Sequence, residues 1–311
     1  MDRVCYGYRV TGRDLVLPVR SGDAGPLLLR DADRPPIPNG DPVLEIRSHE
    51  GIPFARVYRD RKGYAVWISD AGWFAVDPEE PSIALPPDCD PALLEARLWA
   101  VPIALCMIER GDLPFHAAAV EVDGSALVLA APTKHGKTTL AAAFARQGFR
   151  VLSEDVTCCR VDQVPSILPG PAFLRVRRDS FERLRLSSQS VVREEGDRFY
   201  VTMDESPRGD GEAVPLSGIL LIRPSAKRFA LEPVSGVAAL PDLWALTLNL
   251  PSTQGRNVGF SRLASLVDRV PVWDLHRPDG FDILDRIVEQ IAESSLTGAA
   301  SEVHAVVRGI A

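Results

Sequence analysis

The sequence predicts an α/β protein, with a phosphate-loop domain preceded by a small β-rich N-terminal domain. Three observations carry that expectation. Residues 1–89 consist of short runs that alternate apolar and polar residues and stop at Gly, Asp or Pro, as strands and tight turns do. At Asp90 the pattern changes to longer apolar segments with helical spacing. Within those segments, "SALVLAAPTKHGKTTLAAAFARQG" reads as a buried strand, a loop ending in Gly-Lys-Thr, and a helix.

In chain order, "GRDLVLPVRSGD", "PVLEIRSHEG" and "FARVYRDRKGYAVWISDAGWFAVD" are the N-terminal strands. "DRPPIPNGDP" is a loop, and "EEPSIALPPDCDP" marks the domain boundary. The segment from Asp90 to Asp112 starts a helix, with Asp90 as cap and Pro91 in the first turn; Pro102 kinks or splits it. Two strands follow, joined at Asp123-Gly124, then the loop from Ala131 and a helix from Lys137 to Arg146 closed by Gly148. "FRVLSEDVTCCRV" is read as one strand lying beside the loop strand. "PSILPGPAFLRVRRDS" and "VPLSGILLIRP" are strands around a polar excursion at 186–213. Three amphipathic helices close the domain, with the strand "VPVWDLH" between the last two. The domain is placed at 90–295, and the tail 296–311 is expected to be loosely held.

Composition narrows the function classes. The chain has 311 residues, 46% hydrophobic, enough for one large domain or two smaller ones. A net charge of −7 without a basic stripe argues against nucleic acid or anionic lipid as a partner. "VVREEGDRFY" mixes both signs and reads as solvated surface. The five cysteines have no C-x-x-C spacing, so buried thiols in a reducing compartment are expected, not zinc or disulfides. Adjacent Cys158 and Cys159 would face opposite sides of a strand. No apolar signal core opens the sequence, and no run of about 18 apolar residues is evident. A cytoplasmic protein is the expectation.

The loop supplies the chemistry. A strand–loop–helix turn aims backbone N–H groups at one point, where the helix dipole also favours an anion. Gly136 lets backbone approach phosphate, Lys137 reaches the β- and γ-phosphates, and the Thr138 hydroxyl can ligate Mg²⁺. Thr133, Lys134, His135 and Thr139 complete the expected nucleotide-binding set. Ala131 stands where the motif has its first glycine, so its backbone must keep an ordinary φ. Glu154-Asp155 lies one helix, one turn and one strand after Lys137, which brings a carboxylate near the phosphates to hold metal or accept a proton. His116 opens the strand before the loop strand and is a third candidate.

"PFHAAAV", "APTKHGKTTL", "VLSEDV", "PLSGILLI" and "VPVWDLHRPDGFDILDRI" together resemble the HPr kinase/phosphorylase superfamily, in its shorter branch associated with lasso-peptide and other peptide-modification systems. The resemblance spans about residues 95 to 292. It implies a phosphate loop of the phosphoenolpyruvate-carboxykinase type on a mixed sheet, with ATP and Mg²⁺ as cofactors; no base-reading motif separates ATP from GTP. It implies phosphoryl transfer to a serine hydroxyl of a peptide or small protein, with Lys137 and Thr138 on the nucleotide, Glu154 and Asp155 on metal and acceptor, and His116 in the family's histidine position. It also leaves homo-oligomerisation open. Glu154 replaces an Asp of the family pattern; its extra methylene carries the carboxylate about 1.5 Å further out, so either Glu154 or Asp155 is the base. The glycine-rich phosphorolysis signature is missing from "SILPGPAFLRVRRDS", whose Arg175, Arg177 and Arg178 could receive an acidic group. Competing readings are a nucleotide-sensing module without transfer and a small-molecule kinase.

Overall fold

The computed structural model describes residues 3–16, 20–21, 24–36, 38, 40–48, 50–187, 191–202, 211–223, 227–249 and 253–294. Its first unit is a nine-stranded sheet of β1 (Arg3–Cys5), β2 (Tyr8–Thr11), β3 (Arg20–Ser21), β4 (Gly25–Asp31), β5 (Leu44–Arg47), β6 (Pro53–Asp60), β7 (Gly63–Ile68), β8 (Gly72–Asp77) and β9 (Ser82–Leu85), in the order β3-β1-β2-β4-β9-β8-β7-β6-β5. Only β2–β4 and β4–β9 pair in parallel.

The segment expected to be kinked or split at Pro102 is split into two helices, α1 (Pro91–Leu98) and α2 (Val101–Arg110). Asp90 Oδ1 accepts from the N–H groups of Ala92 and Leu93 at 3.1 and 3.0 Å, which satisfies two of the free donors of α1. Pro102 sits in the first turn of α2, where its missing N–H costs nothing. Pro91–Arg110 is long and apolar enough to cross a membrane, an apolar run that Glu95 and Arg97 conceal in the sequence. Here it is 72% buried and packs beneath the first sheet.

The second unit holds β10 (Leu113–Phe115), β11 (Ala117–Val122), β12 (Ser125–Ala130), α3 (Lys137–Arg146), β13 (Arg150–Ser153), β14 (Thr157–Arg160), β15 (Ser166–Leu168), β16 (Phe173–Arg177), α4 (Arg178–Arg183), β17 (Val191–Glu195), β18 (Arg198–Thr202), β19 (Val214–Arg223), β20 (Ala230–Val234), α5 (Gly236–Leu246), α6 (Thr253–Arg269), β21 (Val272–His276) and α7 (Leu284–Glu293). Its main sheet is mixed, ordered β10-β14-β15-β19-β12-β11-β13, with β21 parallel to β19 and β20 antiparallel to β21. α3 and α7 cover one face and α5 and α6 the other. The turn at Asp123-Gly124, both with positive φ, closes the β11–β12 hairpin as its sequence requires.

Three expectations change. "FRVLSEDVTCCRV" is broken at Glu154–Val156 into β13 and β14, because Asp155 takes φ 66°, which no strand accommodates. β13 pairs with β11, not with the loop strand, so it lies one strand further out than expected. The polar excursion contains the β17–β18 hairpin, which pairs with β16 in a small third sheet. Its "VVREEGDRFY" is therefore not simply solvated: Phe199 and Tyr200 are buried, and Tyr200 joins the first unit's core. The tail 296–311 lies outside the described residues.

The five cysteines are free thiols, and Cys158 and Cys159 fall into separate cores on opposite faces of β14. The two units share apolar and polar contacts. Tyr6 hydroxyl donates to the Val156 carbonyl at 2.8 Å, and Arg20 donates to the carbonyls of Gly170 and Val151 at 3.0 and 2.6 Å. Tyr6→Phe should cost about 1 kcal/mol, the net worth of one such bond, with little change in compactness. Urea unfolding checks this, and an unchanged midpoint would remove Tyr6 as a support of the 154–156 turn.

Candidate functional site

The site forms where two passes of the chain cross between the ends of the second sheet. β10 and β11 are consecutive, yet β10 ends the strand order at one side and β11 lies next to the other end. β13 and β14 make the same exchange in reverse. His116 sits in the first crossing and Glu154–Val156 in the second, and the Thr157 hydroxyl ties them by donating to the Ala117 carbonyl at 2.9 Å. The phosphate loop, leaving β12 beside them, faces the same point.

Ala131 is 2% exposed, packs its methyl into the core under α3 and keeps a negative φ, so the absent glycine costs no strain. The strained position is Lys134, whose φ of 68° is left-handed. Gly136 is also left-handed, at 86°, and caps α3. Lys137 Nζ donates to the carbonyls of Ala131 at 2.7 Å and Pro132 at 3.3 Å, and lies 3.2 Å from His116 Nε2. Thr138 Oγ1 donates to Glu154 Oε1 at 2.5 Å. His116 Nδ1 lies 3.0 Å from the Asp155 carbonyl and 3.3 Å from Asp155 Oδ1, while its Nε2 is 3.3 Å from Thr133 Oγ1. Both Asp155 oxygens near Nδ1 accept only, so the proton sits on Nδ1 and Nε2 faces the Lys137 ammonium as acceptor.

Thr133, Lys134, Gly136, Lys137, Thr138, Thr139, His116, Glu154 and Asp155 thus line one cavity of about 1210 Å³. His135 turns back instead, its Nδ1 3.0 Å from the Thr133 carbonyl. Thr139 Oγ1 meets Ser180 Oγ at 3.2 Å and joins α3 to α4. Of the three arginines singled out, Arg175 and Arg177 line the cavity. Arg178 does not; it pairs with Glu194 and covers the Phe199 ring. Sequence reading missed Arg198, which lies on β18 opposite Arg177 of β16, and edge strand β5 of the first unit, which forms another wall of the cavity. β5 lies too far along the chain for spacing to connect it with the loop. Arg198 was hidden in a run that reads as surface.

Charge separates the two carboxylates. They stand on the cavity floor, surrounded by protein although the Asp155 side chain keeps 41% of its surface. Burial, then the charge of Asp155, pushes the Glu154 carboxyl above the usual range. Burial pushes Asp155 upward too, but Arg175, His116 and Lys137 outweigh it and hold its carboxyl low. Burial and then Lys137 lower His116, against the pull of Asp155, so the imidazole is neutral at pH 7. Burial likewise lowers Lys137, with both acids opposing.

The donor set fits Mg²⁺. A hydroxyl and a carboxylate in contact offer hard oxygens, and Mg²⁺ takes its remaining ligands from phosphate and water. Among the described residues no cluster of three His, Cys, Asp or Glu could hold a metal ion.

No protein-family model matches the chain, and no curated protein sequence is similar to it. Its fold is distantly similar to a solved structure of the HPr(Ser) kinase/phosphatase from Coxiella burnetii, with a TM-score of 0.30 and 9% identity over 57% of this chain and 94% of that one. At that level the likeness carries no weight on function.

Two outcomes test the site's physics. Glu154 is raised in the folded state, so its contribution is full below about pH 4.5 and is lost as pH rises through the folded value. Glu154→Gln should therefore melt higher than wild type at neutral pH, and the gap should close as pH falls toward 4.5; a gap independent of pH would contradict the shift. Lys134→Gly relieves a left-handed lysine, which costs roughly 1 kcal/mol, and should raise the unfolding midpoint; a lower midpoint would show that the loop needs the lysine side chain for its shape.

Proposed function

We propose that the protein is an ATP-dependent phosphotransferase that moves the γ-phosphoryl group to a serine hydroxyl of a peptide or small protein. The observation that carries this reading is the meeting of Lys137 and Thr138 with Glu154, Asp155 and His116, all within hydrogen-bond distance on one cavity floor. Phosphoryl transfer needs a charged cradle for the triphosphate, a metal site and an oxygen base for the acceptor, and side chains suited to each stand in adjoining positions. The cavity, about 1210 Å³, exceeds the usual 300–1,000 Å³ range of small-molecule pockets. That supports an acceptor bound beside the nucleotide, against β5 of the first unit.

Roles follow from the contacts. Lys137 leaves the Ala131 and Pro132 carbonyls to neutralise the phosphates, and Thr138 with Glu154 would hold Mg²⁺, which supplies charge compensation on the transferred group. Asp155, ionised and held by His116, accepts the proton of the incoming hydroxyl. His116 fixes that carboxylate through Nδ1–H and keeps Nε2 toward Lys137. Arg175, Arg177 and Arg198 make the acceptor side basic, which suits an acidic segment such as a ribosomal peptide precursor, a lasso-peptide precursor among them.

The test offers purified protein, Mg²⁺ and ATP labelled at the γ position to a precursor peptide encoded beside its gene and, separately, to HPr. Label should pass to the peptide, and Lys137→Ala should reduce transfer by at least about 100-fold, the scale of losing a positioned cation at the transition state. Glu154→Asp should retain transfer if Glu154 serves the metal. Tight nucleotide binding without transfer to any offered hydroxyl would replace this reading with a nucleotide sensor.

A further inference from the structure

β12, β19 and β21 are parallel neighbours, so their C-terminal ends open on one edge of the sheet. In such sheets ligands bind at that edge. The phosphate loop follows β12, and Arg277 follows β21 two strands away, its N–H donating to the Arg223 carbonyl at 3.2 Å. Its side chain crosses that distance and stops against the loop: a Cβ on Gly136 would overlap Arg277 Nη2. Gly136 is favoured by its left-handed φ, and a Cβ there would displace the tip of the guanidinium beside it.

Arg277 is 7% exposed, and its Nε is buried without a hydrogen-bond partner. Nη1 makes one long bond, 3.4 Å to the Pro278 carbonyl. Among the described residues no carboxylate forms a salt bridge with it, and the charge that acts on it is that of nearby Asp279. Two other enclosed arginines have carboxylate partners, Arg150 with Glu121 and Arg97 with Asp70. A guanidinium keeps its proton at any ordinary pH, and burying it without a counter-ion is costly. What the position lacks is an anion with several oxygens, and the neighbouring N-terminus of α3 is itself built to hold one.

We propose that Arg277 is a ligand of the nucleotide's phosphate chain, donating through its planar fork to a phosphate oxygen held at the start of α3. This rests on the phosphate-loop reading above and adds to it a second cation, reached from the far end of the sequence. A bound phosphate would add to the partial compensation that Asp279 gives.

Calorimetric titration of the full chain with pyrophosphate, Mg-ADP and Mg-ATP tests this, with Arg277→Gln, Arg277→Lys and Lys137→Ala run beside wild type. Arg277→Gln should weaken pyrophosphate and both nucleotides by about 10-fold or more, the worth of a charge-assisted hydrogen bond. Its ligand-free melting temperature should stay level or rise, since an unpaired charge is gone; a residue that only ties the loop together would melt lower. Arg277→Lys keeps charge without the fork and should recover only part of the affinity. Affinity within twofold of wild type in Arg277→Gln, with binding lost in Lys137→Ala, overturns the Arg277 proposal and leaves the loop reading standing. No binding of any of the three to wild type overturns both. Should Arg277→Gln fail to fold, full wild-type affinity in Arg277→Lys overturns the proposal.

Discussion

The site depends on one backbone constraint, the left-handed turn at Asp155 between β13 and β14. A strand running through that point would carry Glu154 and Asp155 to opposite faces, and only one could reach the phosphate loop. The turn instead delivers both carboxylates to one floor. A left-handed aspartate costs roughly 1 kcal/mol, and the surroundings hold it there. Tyr6 takes the Val156 carbonyl, Ser153 and Thr157 hydroxyls meet at 2.7 Å across the turn, and His116 takes the Asp155 carbonyl. The first unit therefore supports the chemistry structurally: its Tyr6 fixes the residue next to the acid.

Electrostatics then assigns the two acids. Neighbouring carboxylates repel, and environment decides which yields. Arg175 and Lys137 outweigh burial at Asp155, which also faces the Nδ1–H of His116, whereas at Glu154 burial and its neighbour's charge outweigh Arg175. A further positive charge would favour the ionised Glu154, and the Thr138 hydroxyl against its Oε1 marks where a metal would supply it. The longer glutamate is thus no misplaced base. Its extra methylene spans the gap to Thr138 and leaves Asp155 beside His116, facing the cavity that an acceptor would enter.

Much of this was legible in the sequence where the signal is local. The helix Lys137–Arg146, the Asp123-Gly124 hairpin and the Asp90 cap are each dictated by a few adjacent residues. The mixed α/β class follows from the change of periodicity at Asp90. What failed was non-local or depended on one torsion. Asp155 could have signalled a break, since Asp tolerates a left-handed backbone, but the apolar residues on both sides read as a continuous strand. Tyr200 and Arg198 lie in a charged run whose burial is created only by pairing with β16. No spacing rule joins β5 or Arg277 to a loop so far from either in sequence, because sheet order alone brings them together.

The same logic explains why the loop can depart from the usual glycine pattern. A glycine is needed only where φ is positive or where another atom occupies the Cβ position. Ala131 meets neither condition; its methyl fills the core beneath α3. Lys134 meets the first and tolerates the strain at an exposed position, adding a charge at the cavity mouth. Gly136 meets both, and it alone of the three is glycine. The atom at its Cβ position is Arg277 Nη2, the tip of a side chain about 140 positions away, so the left-handed φ carries the stronger requirement. A side chain at Gly136 would displace the guanidinium, and the two positions therefore influence each other across the sheet edge.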